Sequence, residues 1–241
     1  MIRTLWTALA GSVALIWLGV PVLFHARFGD KPTEWYVDMT RRWARAMLRF
    51  SGCRVVVHGM ENVHPDQPQV IVANHVSWFD VFAIAAVVEV PYHFVAKKEL
   101  ERVPFFGPAW KAAGHISIDR SNRERALASL QVAGEKIRRD RSAVIIFPEG
   151  TRSKSGRLQP FKKGAFQLAR GSGVPIVPAV VTGSFRIMPP GSWIVRPDTI
   201  HVHFLPPVPT GGAEDVQALM DEVYAVMLRE LLHERALHPS R

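Results

Sequence analysis

His75 and Asp80 stand five positions apart in VIVANHVSWFDVF, residues 70–82, and with Asn74 they interrupt an otherwise apolar run. A carboxylate beside an imidazole accepts from one ring nitrogen, fixes the tautomer and favours the charged ring. The other nitrogen can then take a proton from an alcohol. This is two thirds of a hydrolase triad, with the nucleophile missing. No GxSxG stretch supplies one, since Gly171-Ser172-Gly173 does not meet that pattern. The simplest completion is a substrate that brings its own hydroxyl, with His75 as base, Asp80 orienting it, and an activated acyl group as the target. Taken alone, the spacing fits a structural His–Asp pair equally well.

A second polar island, Pro148-Glu149-Gly150-Thr151-Arg152, follows the apolar run Ala143–Phe147. Gly150 allows close backbone approach, Thr151 offers a hydroxyl, and Arg152 can fork onto two oxygens of a phosphate. Lys154, Arg157, Lys162 and Lys163 add charge nearby, although a solvated basic loop has the same composition. Glu149 would repel an anion, so the expectation is that it pairs with an arginine or accepts from a glycerol-like hydroxyl. A third island, Gly114 to Arg120 (GHISIDR), ends in another arginine that could share one phosphate with Arg152. Backbone amides near Asn74 or Gly150 are the candidate oxyanion donors. His201 and His203 fall on one face of a predicted strand at a spacing that could hold a metal. With no third ligand in view, and no partner identified for His58, His64 or His115, packing or surface roles are expected and no metal is assigned.

These residues need elements to hold them. Short β-type runs are predicted at Arg54–His58, Gln69–Ala73, Tyr92–Ala96, Ala143–Phe147, Pro175–Thr182 and Ile200–Leu205. Helices are predicted at Phe79–Val88, Phe105–Ala113, Arg123–Arg139 and Phe161–Arg170. Val216, Met220, Val223, Met227 and Leu231 mark a final amphipathic helix. The alternation argues for one α/β domain with a mixed, largely parallel sheet flanked by helices. His75 and Asp80 then fall at the C-terminal end of a strand and the start of the next helix, the edge where such sheets bind ligands.

Ahead of this lies Thr4–Phe24, without Asp, Glu, Lys or Arg, which reaches about 30 Å as a helix, enough for a bilayer core. A signal peptide is the rival reading, but no small-x-small cleavage site follows. Residues 33–50 combine Trp35, Met39, Trp43 and Phe50 with Arg41, Arg42, Arg45 and Arg49, as in a helix lying among lipid headgroups. Gly29-Asp30-Lys31-Pro32 reads as a turn, making a membrane-associated helical hairpin. Residues 1–50 are thus expected to anchor and 51–241 to form the domain. Basic residues follow the apolar run and only Arg3 precedes it, placing the domain on the cytoplasmic side if the run spans.

The islands, in this order, resemble the 1-acyl-sn-glycerol-3-phosphate acyltransferases, also called lysophosphatidic acid acyltransferases. Asn74-His75 with Asp80 matches the family's NHxxxxD motif. Lys97-Lys98-Glu99-Leu100, Val103 to Gly107 (VPFFG) and the Gly114–Arg120 run look like its second block. Phe147 to Arg152 (FPEGTR) matches the third and Val174 to Pro178 (VPIVP) the fourth. The resemblance covers about residues 50 to 185. It implies His75 as general base, Asp80 as its orienting partner, and Arg120, Glu149, Gly150, Thr151 and Arg152 as glycerol-phosphate ligands, with Lys98 a weaker one. The implied donor is acyl-CoA or an acyl carrier protein thioester, and the acceptor is lysophosphatidic acid. No further cofactor is implied. Ser117 stands where the family often has a bulky apolar residue. Phe105 and Phe106 could border an acyl channel or simply pack in the core.

The chain of 241 residues carries a formal net charge of +9 and is 48% hydrophobic. Such a balance favours anionic partners, here membrane lipids; the basic residues form no recognised nucleic-acid reader, and none is expected to bind. The single cysteine, Cys53, excludes a disulfide framework and any CxxC site, and is expected to be a packed thiol. Two other functions fit: transfer to another acceptor, glycerol 3-phosphate or a different lysolipid, and non-catalytic binding of anionic lipid.

Overall fold

Continuous apolar runs such as Val70–Ala73 and Ala143–Ile146 alternate with nothing polar, so they can be satisfied only by burial on both faces of a sheet. The computed structural model places them there. It describes residues 2–29, 31–119, 123–212 and 215–237, the backbone alone for 123–127. The strands are β1 (Arg54–His58), β2 (Gln69–Ala73), β3 (Tyr92–Lys97), β4 (Ile116–Ile118), β5 (Ala143–Ile146), β6 (Ile176–Thr182) and β7 (Thr199–Phe204). They form one sheet in the order β1-β7-β6-β2-β5-β3-β4. Every pairing is parallel except β6 with β7, so β1 and β7 run against the other five strands. The mixed, largely parallel sheet expected from the sequence is what is found.

Helices cover both faces. On one, α2 (Thr33–Ser51), α3 (Trp78–Val87) and α4 (Phe106–Ala112) bury Val37, Leu48, Phe79, Ile84 and Trp110 against Ile71, Tyr92, Ile145 and Ile200. On the other, α5 (Arg123–Arg139), α6 (Gly164–Ser172) and α8 (Val216–Leu237) bury Ile137, Phe166, Leu219, Val223, Met227 and Leu231 against Val72, Val144 and Ile176. Cys53 is a buried free thiol, as expected. Most element ends fall within two residues of expectation. The short strand β4 falls within the strand-like Gly114–Arg120 run, while the one-turn helix α7 (Ser184–Ile187) was not among the predicted elements. α6 starts three residues late because the chain before it is tied elsewhere: the Lys162 N–H bonds to the Pro148 carbonyl and Phe161 packs against Phe166 and Tyr224.

The N-terminal hairpin is present and corrects one expectation. α1 (Ile2–Phe28) is long and apolar enough to cross a membrane. It lies along α2, with Thr7 Oγ1 bonded to the Phe50 carbonyl and Trp43 Nε1 to the Gly11 carbonyl. Residues one helical face apart divide its surface. Leu15, Leu18, Gly19 and Val22 face inward onto an apolar cavity shared with α2, α3 and α4, while Leu9, Val13, Ile16, Trp17, Val20 and Phe24 are exposed. α2, read above as lying in the headgroup layer, instead docks on the domain. Arg41 donates to the carbonyls of Val88 and Glu89, and Arg45 to that of Ala86. Orphan carbonyls at a helix C-terminus attract cations, and these two arginines go to the end of α3, while Arg42 pairs with Asp38 and Arg49 is exposed. A long run of exposed apolar side chains lies on α1, from Leu5 to Phe28.

Candidate active site

The C-terminal ends of β2, β5 and β6 lie side by side, and each leads into a turn that contributes polar groups. After β2, Ser77 takes an extended conformation and caps α3, its Oγ accepting from the Phe79 N–H at 3.2 Å and donating to the Met188 carbonyl at 2.8 Å. A cap of this kind is worth about 0.5–2 kcal/mol. It fixes the start of α3 so that Asp80, three residues on, turns back over its own N-terminus.

Asp80 is fully buried. Its Oδ2 accepts from the Val76 N–H at 2.6 Å and the Ser77 N–H at 2.8 Å, and lies 3.0 Å from His75 Nδ1. Its Oδ1 accepts from the Ser184 hydroxyl at the start of α7. An oxygen that already receives two N–H groups has no hydrogen to give, so the Nδ1–Asp80 contact places the proton on Nδ1 and leaves Nε2 with its lone pair. The His75 side chain keeps 14% of its surface exposed. One ring face is covered by Phe147, with centroids 4.2 Å apart. The histidine is therefore oriented, partly desolvated and still accessible.

The turn after β5 grips the same residue. Glu149 Oε1 accepts from the His75 N–H at 2.6 Å, and the Ser153 N–H donates to the His75 carbonyl at 2.8 Å. Glu149 Oε2 accepts from the Gln159 N–H and side-chain amide at 3.0 and 3.1 Å. Glu149 thus braces the histidine backbone: it pairs with no arginine among the described residues, and both oxygens are already engaged. Burial pushes its carboxyl above the ordinary range, and these hydrogen bonds pull the other way. Asn74 joins β2 to β6 in both directions, donating to the Val181 carbonyl at 2.9 Å and accepting from the Val181 N–H at 2.7 Å.

The expected phosphate ligands divide. Gly150 has φ +74, and a side chain there would run into Lys162, whose Nζ would lie 2.8 Å from an added Cβ. The glycine makes room for an ammonium group against the turn. Arg152 stacks its guanidinium 4.8 Å over the Trp78 ring and meets no carboxylate among the described residues. A partly exposed cation–π contact is worth roughly 0.5–1 kcal/mol and leaves the guanidinium N–H groups to a stronger, charge-assisted partner. Thr151 is exposed at the same turn, and Lys98 is exposed in the 3-10 turn that follows β3. Arg120 lies outside the described residues. β4, which precedes it, ends on the same sheet edge two strands from β5, about 10 Å at ordinary strand spacing. Ser117 on β4 accepts from Trp110 Nε1 at 3.1 Å, a polar replacement for apolar packing. The N–H groups of His75, Val76, Ser77 and Gly150 are all engaged internally, which removes most of the oxyanion donors expected near Asn74 and Gly150.

Sequence reasoning missed Ser184, Gln159, Phe147 and Trp78 as supports. Ser184 had one available signal: it directly follows the end of a central strand, where site residues gather. Phe105 is exposed with φ 61 before α4, whereas Phe106 lines the apolar cavity.

Residues 54–182 match a protein-family model described as Acyltransferase. A 1-acyl-sn-glycerol-3-phosphate acyltransferase of Pseudomonas aeruginosa is 34% identical over 209 residues, covering 83% of this chain and 78% of that protein. One from Limnanthes douglasii is 40% identical over 178 residues, 72% of this chain and 63% of its own. The chain spans 55 to 63% of the length of three such plant relatives. The crystal structure of a 1-acyl-sn-glycerophosphate acyltransferase from Thermotoga maritima superposes with a TM-score of 0.85 at 27% identity, over 98% of this chain and 95% of that one.

Proposed function

The chain belongs to the Acyltransferase family, and from that premise we propose that it moves a fatty acyl group from a thioester to the sn-2 hydroxyl of 1-acyl-sn-glycerol 3-phosphate, giving phosphatidic acid. His75 Nε2 takes the hydroxyl proton as the alcohol oxygen attacks the thioester carbonyl carbon. Asp80, fixed by two backbone N–H groups and Ser184, holds Nδ1–H and stabilises the imidazolium that forms. The tetrahedral intermediate then expels the thiolate of coenzyme A or acyl carrier protein, and the imidazolium returns its proton to the sulfur. A thiolate leaves readily, so a base matters more here than an acid. Arg152, with Arg120 and Lys162, holds the phosphate of the acceptor.

The observation that carries this reading is the buried, fully bonded Asp80 set 3.0 Å from a partly exposed His75, beside an arginine with no carboxylate partner among the described residues. The apolar cavity bordered by α1, α3 and Phe106 suits the fatty chain. The exposed face of α1 supports seating in one leaflet, with the basic domain on the cytoplasmic side. The test is thioester consumption with lysophosphatidic acid by wild type and His75→Ala. A positioned base contributes about 10²–10⁴-fold, so the variant should lose at least that much turnover while still binding the acceptor. Near-normal transfer by His75→Ala would overturn the assignment. Acceptors lacking a phosphomonoester should be poor substrates.

A further inference from the structure

On the opposite face of the sheet from His75's helix α3, the two reversed strands and α8 gather a second cluster of ionisable groups that acyl transfer does not use. His58 on β1 pairs in register with His203 on β7, and His201 lies two residues earlier on the same face. One ring nitrogen from each of His58, His201 and His203 lies within 4.8 Å of the others. α8 brings two carboxylates to His203, one turn apart. Glu230 Oε1 lies 3.1 Å from His203 Nδ1, and Glu234 Oε2 lies 3.5 Å from His203 Nε2.

His203 is the diagnostic residue. It is 8% exposed, and its Nε2 is buried without a hydrogen bond. Glu230 Oε1 stands beside Nδ1, so a neutral ring protonated there turns its Nε2 lone pair to the Glu234 oxygen, and two acceptors face each other in a desolvated place. A cation between them removes the conflict. A histidine with a carboxylate at each ring nitrogen and two further imidazoles close by has the donor set of a zinc ligand with its supporting partner. A cavity of about 200 Å³ lined by His201, Glu234 and Arg235 gives an ion a way in.

We propose that His203 Nε2, Glu234, His201 and His58 bind a divalent transition metal of the zinc type, with Glu230 orienting His203 through Nδ1–H. The ion would pin the C-terminal helix to the two strands that run against the rest of the sheet. Tetrahedral bonds of about 2.0–2.1 Å need ligand atoms roughly 3.3 Å apart, close to the His203–Glu234 separation. His58 stacks on His203 with centroids 4.4 Å apart, so its ring must turn out of that stack to aim a nitrogen at the ion.

Titration of untagged, EDTA-dialysed protein with Zn²⁺ by calorimetry should show one equivalent bound, and Co²⁺ should give the visible absorption of a low-coordinate nitrogen–oxygen site. Zn²⁺ should raise the melting temperature and EDTA reverse it. Glu234→Gln and the double variant His58→Ala, His201→Ala, both verified as folded by circular dichroism, should abolish that equivalent. Glu230→Gln should weaken it about 10- to 100-fold. His75→Ala should bind as wild type does. The proposal fails if wild type binds no stoichiometric Zn²⁺, if the Glu234 and histidine variants bind unchanged, or if His75→Ala removes the binding instead.

Discussion

Asp80 shows how a single carboxylate is made into a fixed reference point. Two backbone N–H groups, one hydroxyl and one imidazole converge on it. In the proposed mechanism the hydroxyl of Ser184 is therefore a positioning group for a reaction it does not touch. Ser184→Ala leaves a buried oxygen short of a donor, an omission that costs about 1–3 kcal/mol when it falls on a charged group. We expect kcat to drop roughly tenfold with KM nearly unchanged, and Ser184→Thr to restore most of it. Steady-state kinetics on the three proteins decide this, since a purely structural role would lower active-enzyme yield without that split. Arg152 is the complementary case. Arg152→Lys keeps the charge but loses the fork and the stacking on Trp78, so KM for the acceptor should rise about tenfold or more with kcat less affected.

At the scale of elements, the imidazoles at the β3–β4 side carry a consequence for pH. His93 on β3 is buried and His115 just before β4 is half-buried, and desolvation lowers them to about 4 and about 3. Between those values and the ordinary 6.5, an unfolded chain binds protons that the folded chain refuses. Stability therefore falls as pH falls from about 6.5 towards 4, at up to about 1.4 kcal/mol per unit for each group. Melting temperature measured from pH 7.5 to 4.5 should show this slope, and His115→Phe should flatten it. The sequence told less about these elements than about the catalytic ones. Periodicity marks β2 and β5 because both faces are buried, and NHxxxxD marks the turn because local capping chemistry builds it. Ser184 reaches Asp80 only because β6 lies beside β2, and the His58–His203–Glu234 cluster only because β7 lies reversed beside β6 with β1 next to it; no local pattern encodes that order. The arginines of α2 misled for a related reason: a basic amphipathic face reads alike whether its partner is a headgroup or the carbonyl end of another helix.

For the whole molecule, charge and apolar surface act together. A net charge of +9 and the exposed side of α1 should give binding to anionic vesicles that weakens with salt but persists through the apolar face. Replacing Ile16, Trp17 and Val20 by Glu should shift the protein from the vesicle pellet to the supernatant in a sedimentation assay, while leaving its far-ultraviolet circular dichroism intact. The same helix turns Leu15, Leu18 and Val22 towards the apolar cavity. If lipid covers the outer side, a fatty tail can pass sideways from the bilayer into its slot without ever being wetted. Detachment would then do more than remove the enzyme from its substrate: it would loosen a wall of the compartment that measures the tail.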